Sequence, residues 1–285
     1  MNPIPQTVLD LQFRTLHLPS TPFPQLLAIF LILLTASEAN SLWLASTIFK
    51  TLSSLTFLAG GIALAYEGPT TELDPIILGL AMSVIGDVLL IPSRSQFYDS
   101  DTIAGGRVVV KCHCRRDVVE GPGSRFKFGM AFFALAHGAY IVSSLSSLKS
   151  SLNSGAALAS LRLQDFILTI AMVLGLTYYL GLVGNRNRNR WVQIPGDMRL
   201  LVDWYVAIIA VMVAVAVAAG QGWQRRLAAG AFAGSDIFVA VDVFGVRRMP
   251  GKGYGRVGWR WRAVGWWLYF AAQMALAGCV GKGRE

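Results

Sequence analysis

Apolar residues run in long blocks along this chain, separated by short polar or Pro/Gly-rich intervals. Stretches such as "LLAIFLILL", "AMSVIGDVLLIP" and "YVAIIAVMVAVAVAAG" show neither strand-like alternation nor a single apolar stripe. Blocks of about 20 apolar residues have the length a helix needs to cross the hydrocarbon of a bilayer. Lipid cannot satisfy open backbone groups, so spans must be helices or a closed barrel. These blocks are too long and continuous for barrel strands. The pattern predicts an all-α, polytopic transmembrane helical bundle with eight spans: 23–40, 44–66, 75–92, 126–148, 163–183, 200–220, 226–244 and 263–281. Residues 1–22 and 282–285 read as tails, and 93–125 as an inserted polar loop. Glu38, in "TASEANS", reads as the turn between the first two spans.

Composition agrees. The chain is 54% hydrophobic and only 14% charged, with a mean hydropathy of +0.52; soluble domains carry about 25% charged residues. The net charge of +9 sits in the connections. Seventeen of the 25 Lys and Arg fall at the end reached after spans one, three, five and seven, and seven at the other end. The positive-inside rule puts the richer end in the cytosol and both termini opposite it, as in a protein of the endoplasmic reticulum or other endomembranes. A basic loop such as "NRNRNRW" beside a span meets lipid head groups. Membrane lipids, not nucleic acid, are therefore the expected partners. The Pro-dotted start lacks the form of a cleaved secretory signal, so the first apolar run reads as a retained span. Cys112, His113 and Cys114 in "KCHC" lack a fourth ligand and metal-site spacing, and read as a reduced loop.

The informative residues are the polar ones inside the spans: Lys50, Asp87, His137, Asp203, Tyr205, Asp236, Asp242, Tyr269 and Gln273. They come from six helices, yet fall between the middle and the basic end of the bundle, in a slab roughly 10–15 Å thick. Most have a plain structural reading. Asp87 and Asp242 could pair with loop arginines, Lys50 could snorkel, and His137 could be a hydrogen-bonded core residue. Trp204, Trp266 and Trp267 read as interfacial belt residues. Asp236 resists such a reading, since so short a side chain cannot snorkel from mid-span.

At these residues the chain resembles the YhhN-like membrane proteins, the lysoplasmalogenase family. "SVIGDVLLI" resembles that family's Gly-Asp element. "FKTLSSL" resembles its Lys-Pro-Leu-Thr-Thr segment, with Thr51 in place of the proline. "FKFGMAFFALAHGAYIVSS", with Phe126, Gly129, Phe133, His137 and Tyr140, resembles its His-containing span. "AGAFAGSDIFVAVDVF" and "WWLYFAAQMALA" resemble its Ser-Asp span and its last span. The likeness covers nearly all of residues 40–281; the 93–125 insert is longer than the family's short connection. The resemblance implies a membrane hydrolase that opens the vinyl ether of a lysophospholipid substrate, a lysoplasmalogen, to a fatty aldehyde and a glycerophospho-headgroup, with no cofactor or metal.

Vinyl ether hydrolysis needs an acid for the β-carbon, an anion beside the resulting cation, and a base for water. Two carboxyls can share these tasks if one keeps its proton. Asp87 and Asp236 are the expected catalytic pair, with the acid left open between them. Lys50 and His137 would contact phosphate or tune the pair; Tyr205, Gln273 and Asp203 would orient substrate or water. The alternative is a lipid or proton-coupled transporter or scramblase using buried carboxylates; the short likeness of "IGDVLL" to "GSDIFV" would fit such a duplication. Three histidines in the whole chain give little support to an intramembrane metal site, and a Gly-x-Ser-x-Gly elbow is absent.

Overall fold

The computed structural model describes residues 16–67, 74–94, 97, 123–153, 163–184, 192, 194–219, 222–245 and 258–281. Most of the 93–125 insert, including "KCHC", lies outside the described residues. The described residues form eight α-helices: α1 Phe23–Ala39, α2 Trp43–Glu67, α3 Pro75–Leu89, α4 Ser124–Asn153, α5 Leu163–Leu180, α6 Arg199–Ala218, α7 Trp223–Phe244 and α8 Trp259–Ala277. The all-helical, multi-pass architecture expected from the apolar blocks is therefore present. By length and composition α2, α4, α5, α6 and α7 can each cross a membrane, whereas α1 and α3 are shorter apolar helices.

Local chemistry sets the ends. Asp74 caps α3 by accepting from the Ile76 amide at 2.8 Å, ahead of Pro75 in the first turn. Its other oxygen accepts from the Gly281 amide at 3.0 Å, which ties the chain's far end to the start of α3. α5 stops three residues before the expected boundary because Gly181 turns into the left-handed region at φ 81°. α8 begins earlier than expected. Residues 259–262, read from sequence as basic loop, are helical, and Arg262 is buried against α1.

Successive helices alternate in direction. Trp43 at the start of α2 donates to the carbonyl of Pro92, just beyond α3, at 3.0 Å. At the same end Lys127 of α4 donates to Asp197, ahead of α6, at 2.7 Å. That hydrogen bond holds the exposed Asp197 carboxyl below its usual range. At the opposite end Gln224 of α7 grips the backbone of His17 in both directions, at 3.0 and 2.7 Å.

The main core gathers Leu31, Phe57, Leu80, Phe133, Phe232 and Phe270 between α1–α4 and α6–α8. A smaller cluster around Met130, Met198 and Val202 closes the basic end. Outward positions are also apolar: Ile32, Leu44, Leu135 and Met172 are exposed. Outward apolar side chains are what a lipid solvent requires and what water would penalise. α5 packs on α6 and turns most of its side chains outward.

Candidate functional site

The site begins with a close helix contact. Gly79, Ser83 and Gly86 lie on one face of α3, spaced four and three apart; Phe133, His137 and Tyr140 repeat that spacing on α4. A Cβ on Gly79 would sit 2.3 Å from the Tyr140 ring, and one on Gly86 would sit 2.8 Å from the Phe133 ring. The two glycines therefore let aromatic rings of α4 lie directly on the α3 backbone.

Asp87, next to Gly86, is turned toward α2 and α8 and is buried. Its Oδ2 accepts from the Ser54 hydroxyl at 2.8 Å and the Tyr269 hydroxyl at 2.7 Å. Lys50 Nζ stands 3.9 Å from Oδ1. Lys50 and Ser54 are one turn apart on α2, so both reach the same carboxyl. Three donors converging on one carboxyl suit its anionic form.

One turn earlier on α3, Ser83 belongs to a second group. Tyr140 donates to Gln273 Oε1 at 2.7 Å, and Gln273 Nε2 donates to Ser83 Oγ at 2.9 Å. The Ser83 and Tyr140 oxygens lie 3.4 Å apart and close the ring. All three side chains are buried and mutually satisfied.

The third group is looser. His137 Nε2 lies 3.3 Å from the Tyr205 hydroxyl, which donates to Asp236 Oδ2 at 3.3 Å. His137 Nε2 and Asp236 Oδ2 are 3.7 Å apart. His137 is fully buried, and its Nδ1 has no hydrogen-bond partner among the described residues. The Asp236 side chain keeps 19% of its surface open, against 4% for Asp87.

Asp87 and Asp236 share no hydrogen bond; each is held in its own group. Phe232 joins the two groups, with its ring centre 4.6 Å from His137 and 5.2 Å from Tyr269, edge-on to both. Phe232 precedes Asp236 by one turn of α7 and is fully buried.

Lys50, His137, Tyr205 and Gln273 thus lie within these groups. Asp203 differs: it is exposed on α6, beside the exposed Trp204. Trp267 is also exposed, whereas Trp266 packs partly against the core. Ser54, Ser83, Tyr140 and Tyr269 complete the hydrogen bonding around the expected residues. Helical spacing could have flagged two of them, since Ser54 follows Lys50 by four and Ser83 precedes Asp87 by four. Glu38 lies in the last turn of α1, where the chain turns into α2. It is buried, accepts from Ser46, and pairs with Arg262 of α8 at 2.5 Å. Among the described residues no cluster of three His, Cys, Asp or Glu could hold a metal ion.

A bundle of apolar helices with a polar layer in its interior that holds two carboxyls, Asp87 and Asp236, defines a multi-pass membrane protein with an internal polar site. The chain belongs to the YhhN family, whose sequence model matches residues 45–280. No curated protein and no solved structure matches the chain. The family match takes in all three groups and leaves α1 outside it.

Proposed function

We propose that the protein is a membrane hydrolase that cleaves the vinyl ether of lysoplasmalogens, releasing a fatty aldehyde and a glycerophospho-headgroup. Family membership supports a hydrolase of this type. The observation that carries the reading is the contrast between the two carboxyls. Asp87 is enclosed and faces three donors, Lys50, Ser54 and Tyr269. Asp236 is partly open and loosely held by Tyr205 and His137.

That contrast supports a division of labour. Asp236 gives its proton to the β-carbon of the vinyl ether, forming a C–H bond and leaving positive charge on the ether oxygen and α-carbon. The Asp87 carboxylate stabilises that charge. Water then attacks the α-carbon, and Asp236, now ionised, takes its proton with His137 alongside. The hemiacetal collapses: Asp236 gives the proton it took from water to the glycerol oxygen, the bond between that oxygen and the α-carbon breaks, and the hemiacetal hydroxyl returns its proton to Asp236 as the carbonyl forms. The sum is one vinyl ether plus one water giving one aldehyde and one alcohol. Donation and removal of the proton by a single carboxyl follows the two-carboxyl logic of glycoside hydrolysis.

Reaction in deuterium oxide tests the chemistry. Protonation at the β-carbon places one deuterium on C2 of the aldehyde, read by mass spectrometry after rapid trapping. An aldehyde without that deuterium would exclude the mechanism. Lipid flux in proteoliposomes with no aldehyde would replace hydrolysis with transport.

A further inference from the structure

His137 stands near the middle of α4, fully buried, with its two ring nitrogens in opposite circumstances. Nε2 lies 3.3 Å from the Tyr205 hydroxyl of α6 and 3.7 Å from Asp236 Oδ2 of α7. Nδ1 has no hydrogen-bond partner among the described residues. The neighbouring rings do not supply one. Phe232, 4.6 Å away between ring centres, has no acceptor. The Tyr140 hydroxyl is taken up by Gln273 and Ser83.

That asymmetry decides where the ring proton goes. A neutral imidazole carries one N–H donor and one lone-pair acceptor. With the proton on Nε2, the N–H reaches the Tyr205 oxygen, and Tyr205 gives its own hydrogen to Asp236 Oδ2 at 3.3 Å. Every donor in the chain then has an acceptor, and only a lone pair is unmet. With the proton on Nδ1, a buried N–H points at no acceptor, and Nε2 needs the hydrogen that Asp236 receives from Tyr205. That arrangement makes one hydrogen bond fewer and leaves a donor with its full desolvation penalty. An imidazolium leaves the same Nδ1–H unmet.

The chain also distinguishes the two oxygens of Asp236. Oδ2 receives Tyr205 and faces His137 Nε2, whereas Oδ1 has no partner among the described residues. In the acid form of Asp236 the proton belongs on the oxygen that no donor occupies.

We propose that His137 is held as the Nε2–H tautomer and, as a positioning residue, donates through Tyr205 toward Asp236 Oδ2, so that the transferable proton of Asp236 sits on Oδ1. Once that proton is delivered, the charge left on the carboxylate is met at Oδ2 by donors already aimed at it. Oδ1 then takes the proton of the attacking water. His137 itself neither gains nor loses a proton in the cycle. The Oδ1 assignment deepens the hydrolase reading above and rests on it; the tautomer rests on the geometry of the chain of donors alone.

The test uses the full chain in lipid nanodiscs with nitrogen-15 in its histidine rings. The three histidines are His17, His113 and His137. His17→Gln combined with His113→Gln leaves His137 as the single labelled ring, and the backbone contacts of residue 17 with Gln224 survive the change. At neutral pH the magnetic resonance spectrum is expected to show a proton on Nε2 and a bare Nδ1, told apart by their couplings to the carbon-bound ring protons. A proton on Nδ1, alone or together with one on Nε2, overturns the proposal. Turnover gives a second readout. A glutamine amide nitrogen can take the place of Nε2, whereas that of asparagine falls at Nδ1. His137→Gln is expected to keep a kcat at least about tenfold above that of His137→Asn, with KM similar in both. Equal kcat in the two folded variants overturns the donor role. If either does not fold, Tyr205→Phe decides. It is expected to lower kcat about tenfold, and an unchanged kcat overturns the relay. Absence of aldehyde from wild type would remove the hydrolase reading and the Oδ1 assignment with it, while the nitrogen spectrum still decides the tautomer.

Discussion

Single hydroxyl groups decide what each carboxyl can do. Asp87 receives the Tyr269 hydroxyl at 2.7 Å and the Ser54 hydroxyl at 2.8 Å. Hydrogen bonds to an ionised group are worth about 1.5–3 kcal/mol each. Tyr269→Phe keeps the ring against Phe232 and Phe133 and removes one donor. It is expected to lower kcat about tenfold with little change in KM, measured by steady-state aldehyde release. An unchanged kcat would mean that the Asp87 charge plays no part in the rate-determining step. His137 keeps a buried Nδ1 that has no hydrogen-bond partner among the described residues. A buried nitrogen without a partner is costly unless function retains it. Sequence made both aspartates and the histidine legible, since ionisable residues inside apolar blocks stand out. Their immediate partners were less legible, because serine and tyrosine are common in spans and spacing alone does not say which neighbouring helix they face.

At the scale of elements, the close approach of α3 to α4 holds the site together. The Tyr140 ring occupies the space a Gly79 side chain would need, at 2.3 Å. Gly79→Ala is expected to force the helices apart and destabilise the protein by about 1–3 kcal/mol, read as a lower thermal midpoint in detergent. The same change at Gly138, which meets nothing within 4 Å, is expected to leave the midpoint unaltered. Equal effects at both positions would refute the interlock. Helix existence was legible because each apolar block is long. Helix ends were less so. α3 ends at Leu89, short of the expected Pro92, and α8 starts at Trp259. The latter boundary depends on a tertiary pair, Glu38 with Arg262, and a basic residue beside a span otherwise reads as loop. Glu38→Gln is expected to leave Arg262 without its buried counter-charge and to cost about 3 kcal/mol, seen in the same melt. Glu38→Gln combined with Arg262→Met should recover part of that loss. No recovery in the double variant would mean that the two residues act independently.

For the whole molecule, the eight helices bring residues from α2, α3, α4, α6, α7 and α8 into one polar layer. The layer was legible because distant sequence positions shared a depth. The separation of Asp87 from Asp236 into two groups was not, since depth along a helix carries no information about which side of the bundle a side chain faces. Phe232, between His137 and Tyr269, is an ordinary apolar residue in the sequence and becomes the link between groups only through packing. The proposed hydrolysis depends on two carboxyls in distinct settings acting on one lipid bond. The most direct measurement is aldehyde release from an alkenyl lysophosphatidylethanolamine by purified wild type, Asp87→Asn and Asp236→Asn, each verified as folded by its melting profile. Wild type should yield aldehyde and glycerophosphoethanolamine in equal amounts, and each variant should lose about 100-fold or more of kcat. Turnover close to wild type in both folded variants would contradict it.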